Sequence, residues 1–261
     1  MGLNWIDVKD LSFNYLLFLE KLHVEYAVSS FENKEILGTA LNGNPAVKWY
    51  FKALAPDLAD QIDKICAAAK RDPDRESLRA AEIKVMEEVN DWIVYVVDPS
   101  VYDELQFMSW DTRELVSITD FNGKKVVDIG SGTGKQAFAA AEYARSVYCV
   151  EPVRRLREYL RKKARRLGMK NVFVIDGLIT EIPFEDSFAD VTMGGHVFGD
   201  EMEKEYSEME RVTRPGGMII FCPGSNDEEG PAHDFLVSKG FCWSSFEEPG
   251  EGVKRKYWKE R

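Results

Sequence analysis

The stretch VVDIGSGTGKQ, residues 126–136, decides the fold prediction, because a short apolar run leads directly into three glycines and a lysine. The valines and isoleucine before the first glycine are typical of a buried strand. The glycines after them indicate a loop whose main-chain atoms are accessible. We therefore expect a ligand with charged or polar atoms to bind beside this loop.

Two familiar glycine patterns fit this stretch incompletely. A phosphate-binding loop, GxxxxGK[ST], requires a glycine where Ile129 stands and a hydroxyl where Gln136 stands, which disfavours a nucleoside triphosphatase. A dinucleotide-binding loop, GxGxxG, requires a third glycine where Lys135 stands, which disfavours NAD. Glu151 nevertheless follows at a distance suited to accepting from ribose hydroxyls, so both a dinucleotide and a nucleoside ligand stay open on spacing alone.

Strands alternate with helices from residue 124 onward. The runs KVVDIG, VYCVE, NVFVIDG, ADVTMGG and GMIIFCPG predict strands, with helices over 135–145, 152–167 and 201–213. This alternation predicts an α/β fold with a doubly wound, mostly parallel sheet. A short helix over 232–239 and two runs separated by PGEG predict a C-terminal antiparallel hairpin. We expect one seven-stranded domain over residues 121–261.

Residues 1–120 have helical periodicity instead. Two apolar stripes show it: Leu58, Ile62, Ile65, Cys66 and Ala69, then Ile83, Met86, Val89, Ile93 and Val96. Four prolines punctuate the segment. The sequence predicts four to six helices that form an all-helical N-terminal cap or lid.

Composition and charge indicate an ordinary folded protein, with 44% hydrophobic and 30% charged residues. The net charge of −11 repels nucleic-acid phosphates and makes a nucleic-acid partner unlikely. The first residues match neither a signal peptide nor a membrane span, so we expect a cytoplasmic protein with no membrane partner. The four cysteines form no CxxC pair and are expected to be buried free thiols; no metal site is predicted.

Five segments share their order and spacing with a known family. Asp128 and the glycines at 130, 132 and 134 complete the pattern DxGxGxG, and Glu151 ends the second predicted strand. DGL follows the third strand at 176–178, IPFEDSFADV leads into the fourth, and RVTRPGGMIIF begins the fifth. From about residue 124 the sequence thereby resembles the class I S-adenosylmethionine-dependent methyltransferases. The resemblance implies a Rossmann-like fold and an enzyme that uses S-adenosyl-L-methionine and releases S-adenosyl-L-homocysteine.

The resemblance also implies a set of cofactor-binding residues. Asp128 is expected to face the ligand ammonium group, Glu151 both ribose hydroxyls, and Asp176 the adenine amino group. For these acids the alternative is capping of a following helix. The full predicted set is Asp128, Gly130, Ser131, Gly132, Gly134, Glu151, Pro152, Asp176, Gly177, Leu178, Gly194 and Trp110.

Two positions depart from the family pattern. Ala189 is inserted before Asp190, the aspartate that closes the PF-x-D-x-x-FD box, and we expect this to change only the length of the loop. Thr213 stands where the RPGG turn usually has leucine, which we interpret as a surface change.

His196, in VTMGGHVFGDE, is the candidate catalytic base. Imidazole titrates near neutral pH, and the end of the fourth strand is where a base would stand beside the transferred methyl. The alternative is a histidine that bonds to nearby backbone or shapes the pocket wall. Gly194 and Gly195 before it would let the ligand approach the main chain, and Asp200 and Glu201 are expected to cap the next helix.

A small-molecule acceptor is expected, in a pocket closed by the N-terminal helices. The aromatic residues predicted nearest to it, each also a candidate for the core, are Trp49, Tyr50, Phe51, Phe107 and Trp110. The helix within 152–170 carries nine basic residues, expected on its solvent side. Methylation of RNA or protein, and a module that holds the cofactor without turnover, are the alternatives; the fourth strand lacks the (N/D)PPY motif of base methylation.

Overall fold

The computed structural model describes residues 5–70 and 72–261, and its contacts divide the chain into two units between Tyr102 and Asp103. The sequence placed this division at residue 120. The segment between the two positions packs with the second unit, because Trp110 and Leu115 are buried among residues that cover the sheet. No helix in the described part of the chain is long and apolar enough to cross a membrane.

Up to residue 120 the described residues form eight α-helices, more than the four to six predicted. Their bounds are α1 (Lys21–Ser30), α2 (Lys34–Gly43), α3 (Pro45–Leu54), α4 (Ala59–Ala68), α5 (Arg75–Glu88), α6 (Asn90–Val97), α7 (Pro99–Asp103) and α8 (Arg113–Val116). The helices are more numerous because the apolar periodicity did not reveal where one helix ends and the next begins. Asn44 ends α2 and precedes Pro45 at the start of α3, and Val89 separates α5 from α6 within one apolar stripe. The stripes themselves face the core, since Ile62, Cys66 and Val89 are among its buried residues.

A seven-stranded sheet organises the second unit. Its strands are β1 (Lys125–Ile129), β2 (Ser146–Val150), β3 (Val172–Ile175), β4 (Ala189–Gly194), β5 (Thr213–Asn226), β6 (Cys242–Glu248) and β7 (Gly252–Glu260), in the order β3-β2-β1-β4-β5-β7-β6. The first five strands are parallel, whereas β7 is antiparallel to both β5 and β6. The predicted doubly wound sheet with a C-terminal antiparallel hairpin is confirmed.

Helices cover both faces of the sheet. They are α9 (Lys135–Ala141), α10 (Arg154–Arg166), α11 (Met202–Val212) and α12 (Pro231–Ser238). Val126 of β1 packs in one hydrophobic cluster with residues of α9 and α10, whereas Val127 packs in a second with residues of α11 and α12. Successive strand residues point to opposite faces, so one short apolar run contributes to two cores.

The inserted Ala189 lies at a shift in the β4–β5 register, between Ala189 and Val191. The carboxylate of Asp190 accepts a 2.7 Å bond from the Lys125 main-chain N–H and a 2.6 Å bond from Arg214 Nε. These contacts connect the start of β4 to β1 and β5. The family's closing aspartate thus has a structural role here, and the inserted residue coincides with an irregularity in the β4–β5 pairing.

Thr213 is fully buried, so its interpretation as a surface change is wrong. Its hydroxyl lies 2.6 Å from that of Thr192 and donates to the Met209 carbonyl at 2.7 Å. A pair of threonines in adjacent strands satisfies its polar atoms internally. This lets a polar residue occupy a core position where leucine is usual.

Two smaller expectations also fail. Asp200 and Glu201 do not cap α11; the carboxylate of Glu205, one turn into the helix, instead accepts from the main-chain N–H groups of residues 199, 200 and 201. All four cysteines are free as predicted, but Cys242 is exposed, because it lies at the start of β6, the edge strand of the sheet.

Candidate active site

The glycine loop, residues 130–134, joins the carboxyl end of β1 to α9. Gly130, Gly132 and Gly134 have φ angles of 62°, 54° and 90°, a region that favours glycine. A Cβ on Gly130 would lie 2.3 Å from a valine side chain, and one on Gly134 2.5 Å from the Phe138 ring, so packing requires both glycines. Among the described residues nothing lies within 4 Å of a Cβ built on Gly132. The Cα side of Gly132 is therefore open to a ligand, while its N–H donates to the Glu151 carboxylate.

Asp128, near the end of β1, is a buried carboxylate without a partner. It is 1% exposed, and neither oxygen has a hydrogen bond to the described residues. Burial raises its pKa to about 7; the nearby Ser131 hydroxyl acts against the rise, and the Glu151 carboxylate adds to it. The Ser131 hydroxyl itself donates to the main-chain carbonyl of Asp128 at 2.9 Å. The Thr133 hydroxyl and the Gln136 side-chain amide oxygen are also buried without a hydrogen-bond partner. In the described chain, four of the five buried, unpartnered side-chain polar atoms therefore lie within residues 128–136.

Glu151 follows β2 directly and connects it to the glycine loop. It is 3% exposed; Oε2 accepts from the Gly132 N–H and Oε1 from the Val153 N–H, both at 2.8 Å. Burial raises its pKa to about 7 despite these bonds. Each oxygen keeps a second acceptor site, so the carboxylate can still bind two hydroxyl groups. Pro152 was predicted to begin the following helix, but α10 begins at Arg154.

Asp176, Gly177 and Leu178 lie beyond the end of β3 and line a surface cavity of about 780 Å³. The Asp176 carboxylate is exposed and accepts from Arg157 Nη1 at 2.9 Å. The same nitrogen donates to the main-chain carbonyls of Glu151 and Pro152, at 2.8 and 2.6 Å. Arg157 thereby joins the two predicted adenosine-binding segments, a role that the sequence did not reveal.

The basic helix α10 is less solvated than predicted. Its apolar positions Leu156, Leu160 and Ala164 are buried as expected. The Arg157 and Lys163 side chains, however, are only 12% and 15% exposed. Lys163 Nζ lies 2.7 Å from the Asp103 carboxylate and donates to the Thr133 carbonyl at 3.1 Å, so it stabilises the glycine loop. Part of the positive charge is therefore engaged within the protein.

The end of β4 comes next to the glycine loop. Gly194 pairs with Ile129 of the neighbouring parallel strand, which places residues 195 and 196 beside the start of that loop. A Cβ on Gly195 would lie 2.0 Å from Gln136 Nε2, so the absence of a side chain there lets Gln136 reach this point. His196 follows with a φ of 55°, and its N–H donates to the Pro223 carbonyl at 3.0 Å.

His196 forms a side-chain pair with Glu248. Its Nε2 lies 2.9 Å from Oε1 of Glu248, which is 1% exposed, and the second oxygen of Glu248 is 3.6 Å from Lys254 Nζ. A carboxylate accepts from Nε2–H, which leaves Nδ1 as the basic nitrogen of the imidazole. Because β7 is antiparallel to both of its neighbours, β6 runs parallel to β5 and brings Glu248 to the edge where β4 ends.

A cavity of about 480 Å³ opens beside His196, between the end of β4 and the segment that joins β5 to α12. This is within the size range of small-molecule sites. Its lining residues are His196, Phe198, Gly224, Ser225, Asn226, Glu228, Glu229, Gly230, Pro231, Ala232 and His233.

The aromatic residues predicted near the acceptor have varied positions. Trp110 is 3% exposed, and its ring lies 5.7 Å from the Phe246 ring, because the residues around it pack onto the sheet. Its contact with the cofactor stays a prediction. In the first unit Phe51 is fully buried and Trp49 is exposed, while the Tyr50 hydroxyl donates to the Leu19 carbonyl. The closure of the site by the N-terminal helices stays a prediction.

The residues present fit S-adenosylmethionine. The loop offers open main chain at Gly132, the unpartnered carboxylate of Asp128 suits a ligand ammonium group, and Glu151 retains acceptor sites for a diol. Buried polar atoms in native proteins nearly always have partners, so this concentration of unpartnered ones is itself a sign of a polar, cationic ligand.

Comparison with known proteins agrees with this geometry. Residues 127–221 match the family model described as a methyltransferase domain. The chain is 31% identical to the cypemycin N-terminal methyltransferase of a Streptomyces species over 137 residues, 46% of this chain and 55% of that protein. It is 31% identical to the demethylmenaquinone methyltransferase of Geobacillus kaustophilus over 129 residues, 46% of this chain and 54% of that protein. The chain thus spans about half the length of these curated relatives.

A solved methyltransferase from Aquifex aeolicus, described as S-adenosylmethionine-dependent, aligns with 62% of this chain and 97% of its own, at 21% identity and a TM-score of 0.48. The family assignment itself depends on the matched domain, the strand order and the DxGxGxG loop with its following acid. The second unit therefore contains a class I S-adenosylmethionine-dependent methyltransferase domain, matched over residues 127–221.

Proposed function

We propose that this chain transfers the methyl group of S-adenosylmethionine to a small-molecule acceptor by in-line displacement. The observation that carries the proposal is the buried, unpartnered carboxylate of Asp128 beside the open main chain of Gly132. A cationic ligand would offset the free-energy cost of this carboxylate. The cofactor supplies an electrophilic methyl group on a sulfonium sulfur.

The chain's own residues would then hold the two reactants in line. Asp128 and the glycine loop, with Gly194 of the adjacent strand, would bind the amino-acid end, and Glu151 would accept from the ribose hydroxyls. The segment 176–178 would border the adenine, with the 43% exposed Leu178 against the ring. Positioning of this kind contributes up to roughly 7–11 kcal/mol to such displacements, so few reactive side chains are needed.

His196 is the proposed general base. Its free Nδ1 would take the acceptor's proton, while Glu248, buried behind it, would fix the tautomer and stabilise the imidazolium. Neither relative's printed acceptor, a menaquinone precursor or a peptide N-terminus, is carried over to this chain, because each alignment covers only about half of the relative.

The cofactor is tested by a thermal-shift panel of S-adenosylmethionine, S-adenosylhomocysteine, NAD and ATP. Either adenosyl compound at 100 times its Kd should add about 2.7 kcal/mol to the free energy of unfolding. Glu151→Ala should weaken adenosyl binding by about 1–3 kcal/mol, because ribose hydroxyls lose their acceptor. The matched control is Glu142→Ala, at an exposed glutamate just beyond α9. Stabilisation by NAD alone would exclude the proposal.

Turnover is tested by release of S-adenosylhomocysteine in a fractionated metabolite extract. We expect release from a small-molecule fraction, and a drop in kcat of about 10²–10⁴-fold in His196→Asn. Glu248→Gln should cause a smaller loss and shift the pH dependence of kcat. Binding of the adenosyl compounds with no turnover would favour a module that holds the cofactor without catalysis. An unchanged kcat in His196→Asn would show that His196 is not the general base.

A further inference from the structure

The cavity beside His196 has an unequal charge distribution. Glu228 and Glu229 line it, and among its described lining residues there is no lysine or arginine. Two cations, Lys254 and Arg255, are paired with carboxylates behind the wall, although Arg255 Nη1 has no hydrogen-bond partner among the described residues. Arg255 is 5% exposed and pairs with Asp227 at 2.8 Å and Glu229 at 3.2 Å.

Lys254 is the second of these cations. It donates to Asn226 Oδ1 at 2.7 Å and lies 3.6 Å from Glu248. Four carboxylates, those of Asp227, Glu228, Glu229 and Glu248, surround the two cations Lys254 and Arg255, so the carboxylates exceed the cations by two. Among the described residues, Glu228 is the lining glutamate with no cationic partner. The cavity is therefore bordered by more acidic than basic side chains.

Helix α12 begins at this cavity, and its positive end alone would attract an anion. Acidic residues offset that end. Asp234 lies in the first turn of α12. Glu229 directly precedes Gly230, the N-cap residue of this helix. Glu229 also lies 3.6 Å from His233 Nε2, while His233 Nδ1 bonds to the Tyr257 hydroxyl at 3.1 Å.

We propose that this cavity binds the methyl acceptor and that the acceptor is a primary or secondary amine, which enters as the ammonium cation. The inference depends on the proposed function and specifies its substrate class. Glu228 and Glu229 attract the cation, and Phe198 offers an aromatic contact on the same wall.

The reaction balances with the groups present. An ammonium proton passes to Nδ1 of His196, which frees the nitrogen lone pair. That lone pair forms the bond to the methyl carbon as the carbon–sulfur bond breaks, and the electron pair of the broken bond stays on sulfur. An alcohol acceptor would gain nothing from the two glutamates, and a carboxylate would be repelled by them.

The test measures binding of three matched probes to the full chain saturated with S-adenosylhomocysteine: benzylamine, benzyl alcohol and benzoate. We expect benzylamine to bind at least fivefold more tightly than the other two. The double variant Glu228→Gln/Glu229→Gln should abolish that preference. The control Glu142→Gln/Glu260→Gln, which removes two exposed charges elsewhere, should retain it.

Equal affinities, tighter binding of benzoate, or no saturable benzylamine binding would overturn the amine assignment. So would a preference that persists in the Glu228→Gln/Glu229→Gln variant. These outcomes leave the proposed methyl transfer intact, since S-adenosylhomocysteine is bound in every arm. Failure of S-adenosylhomocysteine itself to bind would instead refute the proposed function.

Discussion

In the second unit, the edge of the sheet at the carboxyl ends of the strands has two halves that differ in how they accommodate buried charge. In the first half, at the ends of β1 and β2, Asp128 has no partner within the described chain, and burial raises the pKa values of Asp128 and Glu151 to about 7. In the second half, at the ends of β4 and β6, the equally buried Glu248 contacts both His196 and Lys254.

This difference indicates which half depends on its ligand. A carboxylate buried without a partner destabilises the protein alone and is relieved by a cation that binds beside it. A carboxylate with protein partners holds a neighbouring side chain in place whether or not a ligand is bound. We infer that the first half gains stability from the cofactor, and that the second half is organised beforehand to position His196.

The largest expected effect separates the packed glycines from the open one. Gly134→Ala should lower the free energy of unfolding by about 2–5 kcal/mol, because φ is positive and the new Cβ overlaps Phe138 and Leu160. Gly132→Ala should cost only about 1 kcal/mol, since its Cβ enters open space, yet should weaken S-adenosylhomocysteine binding. Denaturant unfolding and calorimetry measure the two quantities. Equal stability losses in the two variants would contradict the assignment of Gly132 to the ligand.

The next effect has opposite signs in the two halves. At pH 8, Asp128→Asn should raise the free energy of unfolding of the ligand-free protein by about 1–3 kcal/mol, because it removes an unpartnered buried charge. The same variant should weaken S-adenosylmethionine binding. Glu248→Gln should lower the free energy of unfolding by about 1–3 kcal/mol, because Lys254 and His196 lose a charged partner. If both variants changed the free energy of unfolding in the same direction, the proposed difference between the two halves would be wrong.

The first half could be predicted from sequence because its residues are local. Asp128, the three glycines and Glu151 belong to two strand ends within 24 residues, and the pattern itself specifies their positions. The second half could not be predicted in the same way. Glu248 is 52 residues from His196 and reaches it only because the hairpin makes β6 parallel to β5. The predicted hairpin already implied that β6 ends at the same edge of the sheet as β4. No local sequence pattern indicated that Glu248, at the end of β6, would be buried.

Other differences have the same origin in tertiary packing. The departure from the family's leucine at Thr213 suggested a surface change, but its hydroxyl finds partners in an adjacent strand and a helix. Arg157 has an ordinary place on an amphipathic helix, and only the fold brings the ends of β2 and β3 under its guanidinium group. Asp200 and Glu201 precede α11 as capping residues do, but the buried Glu205 satisfies the N–H groups there.

The smallest expected effect is the pH dependence of the gain from Asp128→Asn. A carboxyl whose pKa is raised on folding stabilises the protein fully below its unfolded pKa, and loses that contribution as pH rises toward about 7. The stability advantage of the variant over the parent should therefore grow by about 1 kcal/mol between pH 6 and pH 7 and level off above pH 8. Two other buried groups are common to both proteins: Glu151, whose pKa burial raises to about 7, and His23, whose pKa burial lowers to about 4. Their own contributions cancel in the difference, except for the repulsion between Glu151 and Asp128, which the variant removes and which adds to its advantage at high pH. Urea unfolding of both proteins from pH 5 to pH 9 measures this difference, and a difference that is constant with pH would mean that folding does not raise the pKa of Asp128.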